Sequence, residues 1–417
     1  MRKAIWLVSF LLALGALGLV GVVELPEKAR PLLPASVAVL LPPPLPALHQ
    51  PTRVRWLDQN WSEADRFWTH HASQGTATLP VPYDWFMALE QPGLSLFSAP
   101  GLLSDSAYLQ RIGFIPSPKS LDVGRDALQS YGYGQAGASH PVAPTTSLHW
   151  TPSDNRGGLP VGFARTTVPV DPRDGKPSPD RIGLTCAACH TGHIEYKGAS
   201  LRFDGGPAML NLNALERAVS LSLIYTLQTP GRFDRFSDRV LGPQASKEQR
   251  EDLRASLQKI FDSIVVAARA SYAMEATTGQ ADTPENFGRL DALNRIGNRL
   301  FFEDLGGPSG GAALAPNFHA TDAPVRYPAL WSASWFALAE YDSSIEQPLV
   351  RNVGEALGVG ALIDLNGGAD GKSLFASTVA LENILWIEDL YRGGDFFSAA
   401  SGGLRAPKWP GALFPDD

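Results

Sequence analysis

The sequence predicts a mainly α-helical body with long irregular loops, preceded by an N-terminal membrane segment and carrying one short motif that binds a prosthetic group. Three observations carry this prediction. Several stretches place apolar residues at helical spacing. Long Gly/Pro/Ser-rich stretches lie between them. Cys186-Ala187-Ala188-Cys189-His190 has the C-x-x-C-H pattern through which a c-type haem is attached.

At the N-terminus, Arg2-Lys3 precedes an uncharged, mostly apolar run from Ala4 to Val23 that Glu24 closes. Such a run lies between a long signal peptide and a spanning helix. The positive charge before it favours an N-terminus left in the cytoplasm. Leu25-Pro26-Glu27-Lys28 is a poor cleavage site. Residues 4–23 are therefore expected to anchor the chain in the inner membrane, with a cleaved signal peptide over residues 1–25 as the alternative. Either way the body is expected in the periplasm. Residues 26–58 are dense in proline, Pro42-Pro43-Pro44 and Pro46 among them, and read as an extended tether. A spacer with no further role fits equally. A net charge of -7, with no basic run after the tether, argues against nucleic acid as a partner.

The body, residues 59–417, is long enough for one large domain or two moderate ones, and 44% hydrophobic residues give it a substantial core. Asn213 to Gln228 carries a helical stripe through Leu215, Val219, Leu223 and Leu227, and Pro230-Gly231 ends it. Lys247 to Ala276 reads as a long helix with Leu253, Leu257, Ile260, Phe261 and Ile264 on one face. Asp291 to Phe302 and Leu374 to Tyr391 read the same way. Gly101 to Ser120, Ser130 to Asp180 and Gly306 to Pro328 are the long loops, and wrapping a haem accounts for them.

In the C-x-x-C-H pattern the two thiols add to the haem vinyl groups as thioethers, and His190 binds the iron from one face. Cys186 and Cys189 are the only cysteines of 417 residues. The alternatives are a thioredoxin-like redox pair and half of a zinc site. The redox pair would want a firm strand before it, and Arg181-Ile182-Gly183-Leu184-Thr185 is a short, weak one. Zinc would want two further ligands at short spacing, and only His193 is near.

The stretch Gly183-Leu-Thr-Cys-Ala-Ala-Cys-His-Thr-Gly192, followed by Phe203-Asp-Gly-Gly-Pro207, resembles the N-terminal haem region of large bacterial c-type cytochromes related to rubber oxygenase. These are distantly similar to di-haem cytochrome c peroxidases. Pro82-Tyr-Asp-Trp-Phe86, Leu159-Pro-Val-Gly-Phe163 and Arg351-Asn-Val-Gly-Glu355 fit the same group, from about residue 60 to near the end. The resemblance implies a cytochrome c-like haem domain elaborated by extra helices, one covalent haem c, and electron exchange with a redox partner protein. It also implies a second C-x-x-C-H in a C-terminal domain. This chain reaches Pro407-Lys-Trp-Pro410 and stops at Asp417 without one. A mono-haem relative and a chain truncated before a second haem domain both fit.

The sixth iron position separates an electron carrier from an oxygen- or peroxide-activating enzyme. Met209, 19 residues after His190, is the best thioether candidate, against the alternative that it simply fills the core. Met87 and Met274 are the remaining internal methionines. His193, three residues past His190, projects from the same side if the segment is helical. His319 lies in a Pro/Gly-rich loop, and His70 and His71 read as packing or hydrogen-bonding residues. With no convincing sixth ligand, an open distal site needs a polar group to move a proton. Arg351 and Glu355, one helical turn apart, are the candidate catalytic pair, and a surface ion pair is the plainer alternative. Trp331 and Trp335, with Phe336, read as lining for an apolar small-molecule substrate or as core. Arg202 and Lys197 are candidates to hold the haem propionates.

Two functional expectations follow. One is an exported redox enzyme with an open haem; the other is a six-coordinate, non-enzymatic electron-transfer cytochrome tethered to the membrane. A mono-haem carrier needs only about a hundred residues, so chain length favours the first.

Overall fold

The computed structural model describes residues 41–59, 63–93, 99–119, 155–306, 311–331, 333, 336–339, 343–367, 373–392 and 404–408. The expected membrane segment at 4–23 lies outside them. Among the described residues no helix is long and apolar enough to cross a membrane.

In chain order the first elements are β1 (Arg53–Trp56), α1 (Glu63–His71), α2 (Tyr83–Ala88), α3 (Ser106–Arg111), β2 (Phe163–Thr166), β3 (Arg181–Leu184) and α4 (Cys186–Cys189). Strands β4 (Thr191–Tyr196) and β5 (Ala199–Asp204) follow, then the helices α5 (Leu212–Gln228), α6 (Arg232–Leu241) and α7 (Lys247–Thr278). After β6 (Arg289–Leu290), α8 (Ala292–Gly297) runs into a π-helical stretch, Asn298–Asp304. The remainder holds a 3-10 stretch (Gly311–Asn317), β7 (Val325–Arg326), β8 (Leu338–Ala339), β9 (Ile345–Glu346), α9 (Pro348–Gly358) and α10 (Leu381–Arg392).

The mainly α, cytochrome c-like expectation is overturned: helices share the fold with small sheets, and the sheets frame the cysteine motif. β1 pairs parallel with β5, which pairs antiparallel with β4. β2 and β3 form an antiparallel pair, so α4 is a single turn with a strand on each side. The physical reason is partner distance. β4 and β5 form a hairpin through a tight turn, where Lys197 and Gly198 both have positive φ. β1, however, comes from the proline-rich segment far upstream, and no local pattern announces that pairing.

The helical periodicities place α5 and α7 well. Asn211 caps α5 by accepting from the Ala214 amide at 3.0 Å, and Leu215, Val219 and Leu223 are buried in the main core. Ser246 and Gln249 make a reciprocal capping box on α7, but only Leu253 and Leu257 of its apolar face are buried. The helix expected over Leu374–Tyr391 begins only at Leu381. Phe375 has φ 69°, and Thr378 bonds away from its own segment: its amide to the Leu362 carbonyl, its hydroxyl to the Gly75 carbonyl. The described part of the expected tether, 41–58, lies along the body. Arg217 donates to the Leu41 carbonyl at 3.1 Å, and Arg111 to the Pro46 carbonyl at 2.7 Å.

Candidate functional site

Why α4 places both thiols on one face follows from spacing. In one helical turn, positions i and i+3 share a face. Ala187 and Ala188 are buried, at 3% and 4% exposure, while Cys186 and Cys189 are half-buried. The turn is seated on Gly162, whose φ of +91° and missing side chain let Ala188 approach; a Cβ there would lie 2.3 Å from Ala188 Cα. The Thr185 amide donates to the Gly162 carbonyl at 2.8 Å, and the Ala208 amide to the Cys189 carbonyl at 2.9 Å.

His190 leaves the turn and donates from Nδ1 to the Pro328 carbonyl at 2.8 Å. This bond fixes the tautomer in which Nε2 carries the lone pair. Burial pushes the His190 pKa down to about 4; the Pro328 bond opposes that shift and the Arg351 charge adds to it. The ring is therefore neutral at ordinary pH. Tyr327 meets it edge-on at 6.2 Å. The Tyr327 hydroxyl is buried beside the Cys189 thiol: burial first and then Cys189 push the Tyr327 pKa up, while Tyr327 opposes the rise at Cys189.

Burial raises Cys186 to about 11, even though Gln74 donates to its sulfur at 3.0 Å, and raises Cys189 to about 12. A thioredoxin-type nucleophile needs the opposite shift. The zinc alternative has no ligand set: among the described residues no three His, Cys, Asp or Glu side chains converge as a metal cage. A haem brings its own four nitrogens and asks the protein for one or two axial ligands. His190 with two neighbouring thiols meets that demand.

Facing the motif is α9. The charges of Arg351 and Glu355 both reach Cys186, and Glu355 reaches Cys189 as well. Arg351 donates to Asn352 Oδ1 at 3.1 Å and lies 3.6 Å from Glu388 on α10, to which Asn352 also donates. Gly354 and Gly358 share the face of Arg351. At Gly358 a Cβ would strike Ile296 of α8 at 2.1 Å, whereas at half-buried Gly354 it would meet nothing within 4 Å. α8 and α9 are thus in close contact at Gly358, while the α9 surface at Gly354 is open.

The other sequence candidates sit elsewhere. Met209 is 49% exposed and lines a cavity whose wall also contains His193 and Arg202 but none of Cys186, Cys189 and His190. His193 lies on strand β4, not on a helix. Arg202 is buried, donates to the Pro116 carbonyl at 3.2 Å and lies over the Trp56 ring. Lys197 occupies the β4–β5 turn, over Tyr196. His319 is exposed, its backbone bonded to the Asn298 side chain. Trp331 donates to the Asp204 carbonyl at 2.8 Å and packs with Trp68 and Trp386. Phe336 is exposed, and Trp335 lies outside the described residues.

His70 and His71 are fully committed to buried bonds. His70 meets Asp204 at 2.6 Å, and Arg66 meets the same carboxylate at 2.7 Å. Sequence reasoning missed Arg66, Gln74, Asp204, Tyr327 and Pro328. Only Asp204 left a signal, inside Phe203-Asp-Gly-Gly-Pro207.

No protein-family model matches this chain, and no solved structure does. The chain is 42% identical over 381 residues to a curated protein of Sinorhizobium fredii (strain NBRC 101917 / NGR234) named "Uncharacterized protein y4iJ". The match covers 89% of this chain and 55% of that relative, so the chain spans about half the relative's length.

Proposed function

We propose that this protein carries one covalent haem c, bonded through Cys186 and Cys189 with His190 as axial ligand, and works as an exported redox protein. The observation that carries the reading is the His190 Nδ1 bond to the Pro328 carbonyl. It orients the ring, keeps it neutral and frees Nε2 beside two thiols on one face. The bound group supplies one-electron and oxygen chemistry. The chain's own residues hold the axial imidazole and set Arg351, Asn352 and Glu388 in a polar network on α9 and α10. Arg351 and Glu355 are the side chains this reading assigns to charge stabilisation and proton movement, because both charges reach the motif. An oxidoreductase that activates oxygen or peroxide against a small apolar substrate, with a redox partner protein, follows from this arrangement. A membrane anchor at residues 4–23 and a periplasmic location belong to the same proposal.

The test is expression with haem maturation outside the cytoplasm, followed by denaturing electrophoresis and haem staining. Wild type should retain stain, and Cys186→Ala/Cys189→Ala should lose it; stain kept by the double variant overturns the assignment. A carbon monoxide shift of the ferrous spectrum marks the open sixth position of the enzyme reading. An unchanged low-spin spectrum marks the six-coordinate carrier instead.

A further inference from the structure

The described part of the proline-rich segment roofs a cavity of about 260 Å³. Residues Pro46 to His49 form part of its lining, and they are fastened down. Arg111 donates to the Pro46 and Leu45 carbonyls at 2.7 and 3.0 Å. Gln110 donates to the His49 carbonyl at 2.9 Å, and the His49 ring meets the Glu195 carboxylate.

Charge and polarity inside this space are specific. Arg202, 4% exposed, and Arg111 bring two guanidinium groups to its wall. Glu195 is its lining carboxylate, and His49 already engages it. His193 Nδ1 is buried and has no hydrogen-bond partner. Desolvation keeps that ring below its usual pKa, with Glu195 raising it and Arg202 lowering it. A buried, unpartnered polar atom on a side chain that lines a cavity calls for an occupant that can bond to it. Gln110 and Ser200 add neutral polar groups to the lining, and Phe114, Ile115, Phe287 and the Met209 thioether give it apolar surface.

We propose that the cavity binds a small organic acid, its carboxylate toward Arg202 and His193 and its hydrocarbon body against Phe114, Ile115, Phe287 and Met209. Arginine suits a carboxylate because its fork of donors matches the two oxygens. The apolar walls favour an organic acid over inorganic phosphate. The volume falls below the roughly 300 Å³ at which drug-sized pockets begin, which fits an acid the size of benzoate. This site is separate from the cysteine motif and does not depend on haem attachment.

Titration calorimetry on the full chain tests it, with benzoate, benzamide and inorganic phosphate as probes. Benzoate should bind with one-to-one stoichiometry, and benzamide and phosphate at least tenfold more weakly. Arg202→Gln should weaken benzoate at least tenfold. Because Arg202 also lies against Trp56, Met209→Trp is the second variant: half-exposed, it tolerates the larger ring, fills the space and should abolish binding without unfolding. No heat from benzoate with folded wild type overturns the proposal. So does benzamide binding as well as benzoate, or benzoate binding unchanged by Met209→Trp.

Discussion

His71 shows how a single side chain couples this fold to pH. Its Nδ1 donates to the Phe163 carbonyl at 2.9 Å, and its Nε2 accepts from the Ser117 hydroxyl at 2.9 Å and the Asn155 amide at 3.2 Å. The neutral ring satisfies every partner. Protonation would turn Nε2 into a donor facing the Asn155 donor. Burial, with the His70 charge adding to it and the Phe163 bond opposing, pushes the pKa down to about 3. The unfolded chain therefore binds one more proton than the folded one between pH 6.5 and 3. Stability from this site is whole above the unfolded value and falls as pH drops toward the folded one. By pH 4.5 the loss is about 2–3 kcal/mol relative to pH 7.5. Urea denaturation at the two pH values should show a drop in wild type that is shallower in His71→Gln; equal slopes would refute this account.

At the scale of elements, the α4 turn depends on its glycine seat. Gly162→Ala combines a positive φ with a Cβ 2.3–2.5 Å from Ala188 Cα, N and Cβ, and backbone cannot step aside cheaply. A cost above about 2 kcal/mol is expected, with the turn displaced and, on the proposed haem reading, less haem stain retained. Gly175→Ala is the control. It has φ +67° but open space around the added carbon, so strain alone should cost about 1 kcal/mol. Matching denaturation midpoints for the two variants would remove the seat from the argument. The same element shows what the sequence makes legible. α5 and α7 show through their own periodicity because helix bonds are local. The cysteine spacing exposes the motif because i and i+3 share a face whatever surrounds them. β1 is illegible because its partner β5 is distant and its register is set by that partner. The Pro328 carbonyl leaves no mark either: any residue can accept through its backbone, and the acceptor lies 138 residues from His190.

Across the whole molecule, one buried polar knot ties distant segments to the candidate site. Asp204 holds Arg66 and His70 through its carboxylate. Its carbonyl accepts from Gln59 and from Trp331, each at 2.8 Å, and its amide donates to Gln59 Oε1 at 2.6 Å. Gln59 also donates to the Arg405 carbonyl at 2.8 Å, and the Leu330 amide donates to the Gly205 carbonyl at 2.8 Å. The segment carrying Pro328 is thus moored to the end of β5, and the His190 acceptor is fixed by this knot. Arg66 is 0% exposed and Asp204 1%. Asp204→Asn would leave a guanidinium buried without its counter-charge, a change that typically costs about 3–5 kcal/mol. Arg66→Met/Asp204→Asn removes both charges while keeping much of the volume, so it should be more stable than Asp204→Asn alone despite carrying one more substitution. Urea denaturation of wild type, each single variant and the double variant gives the coupling directly. A double variant as unstable as the sum of its singles would mean that the ion pair does not organise the knot, and that packing of Trp68, Trp331 and Trp386 holds the segments instead.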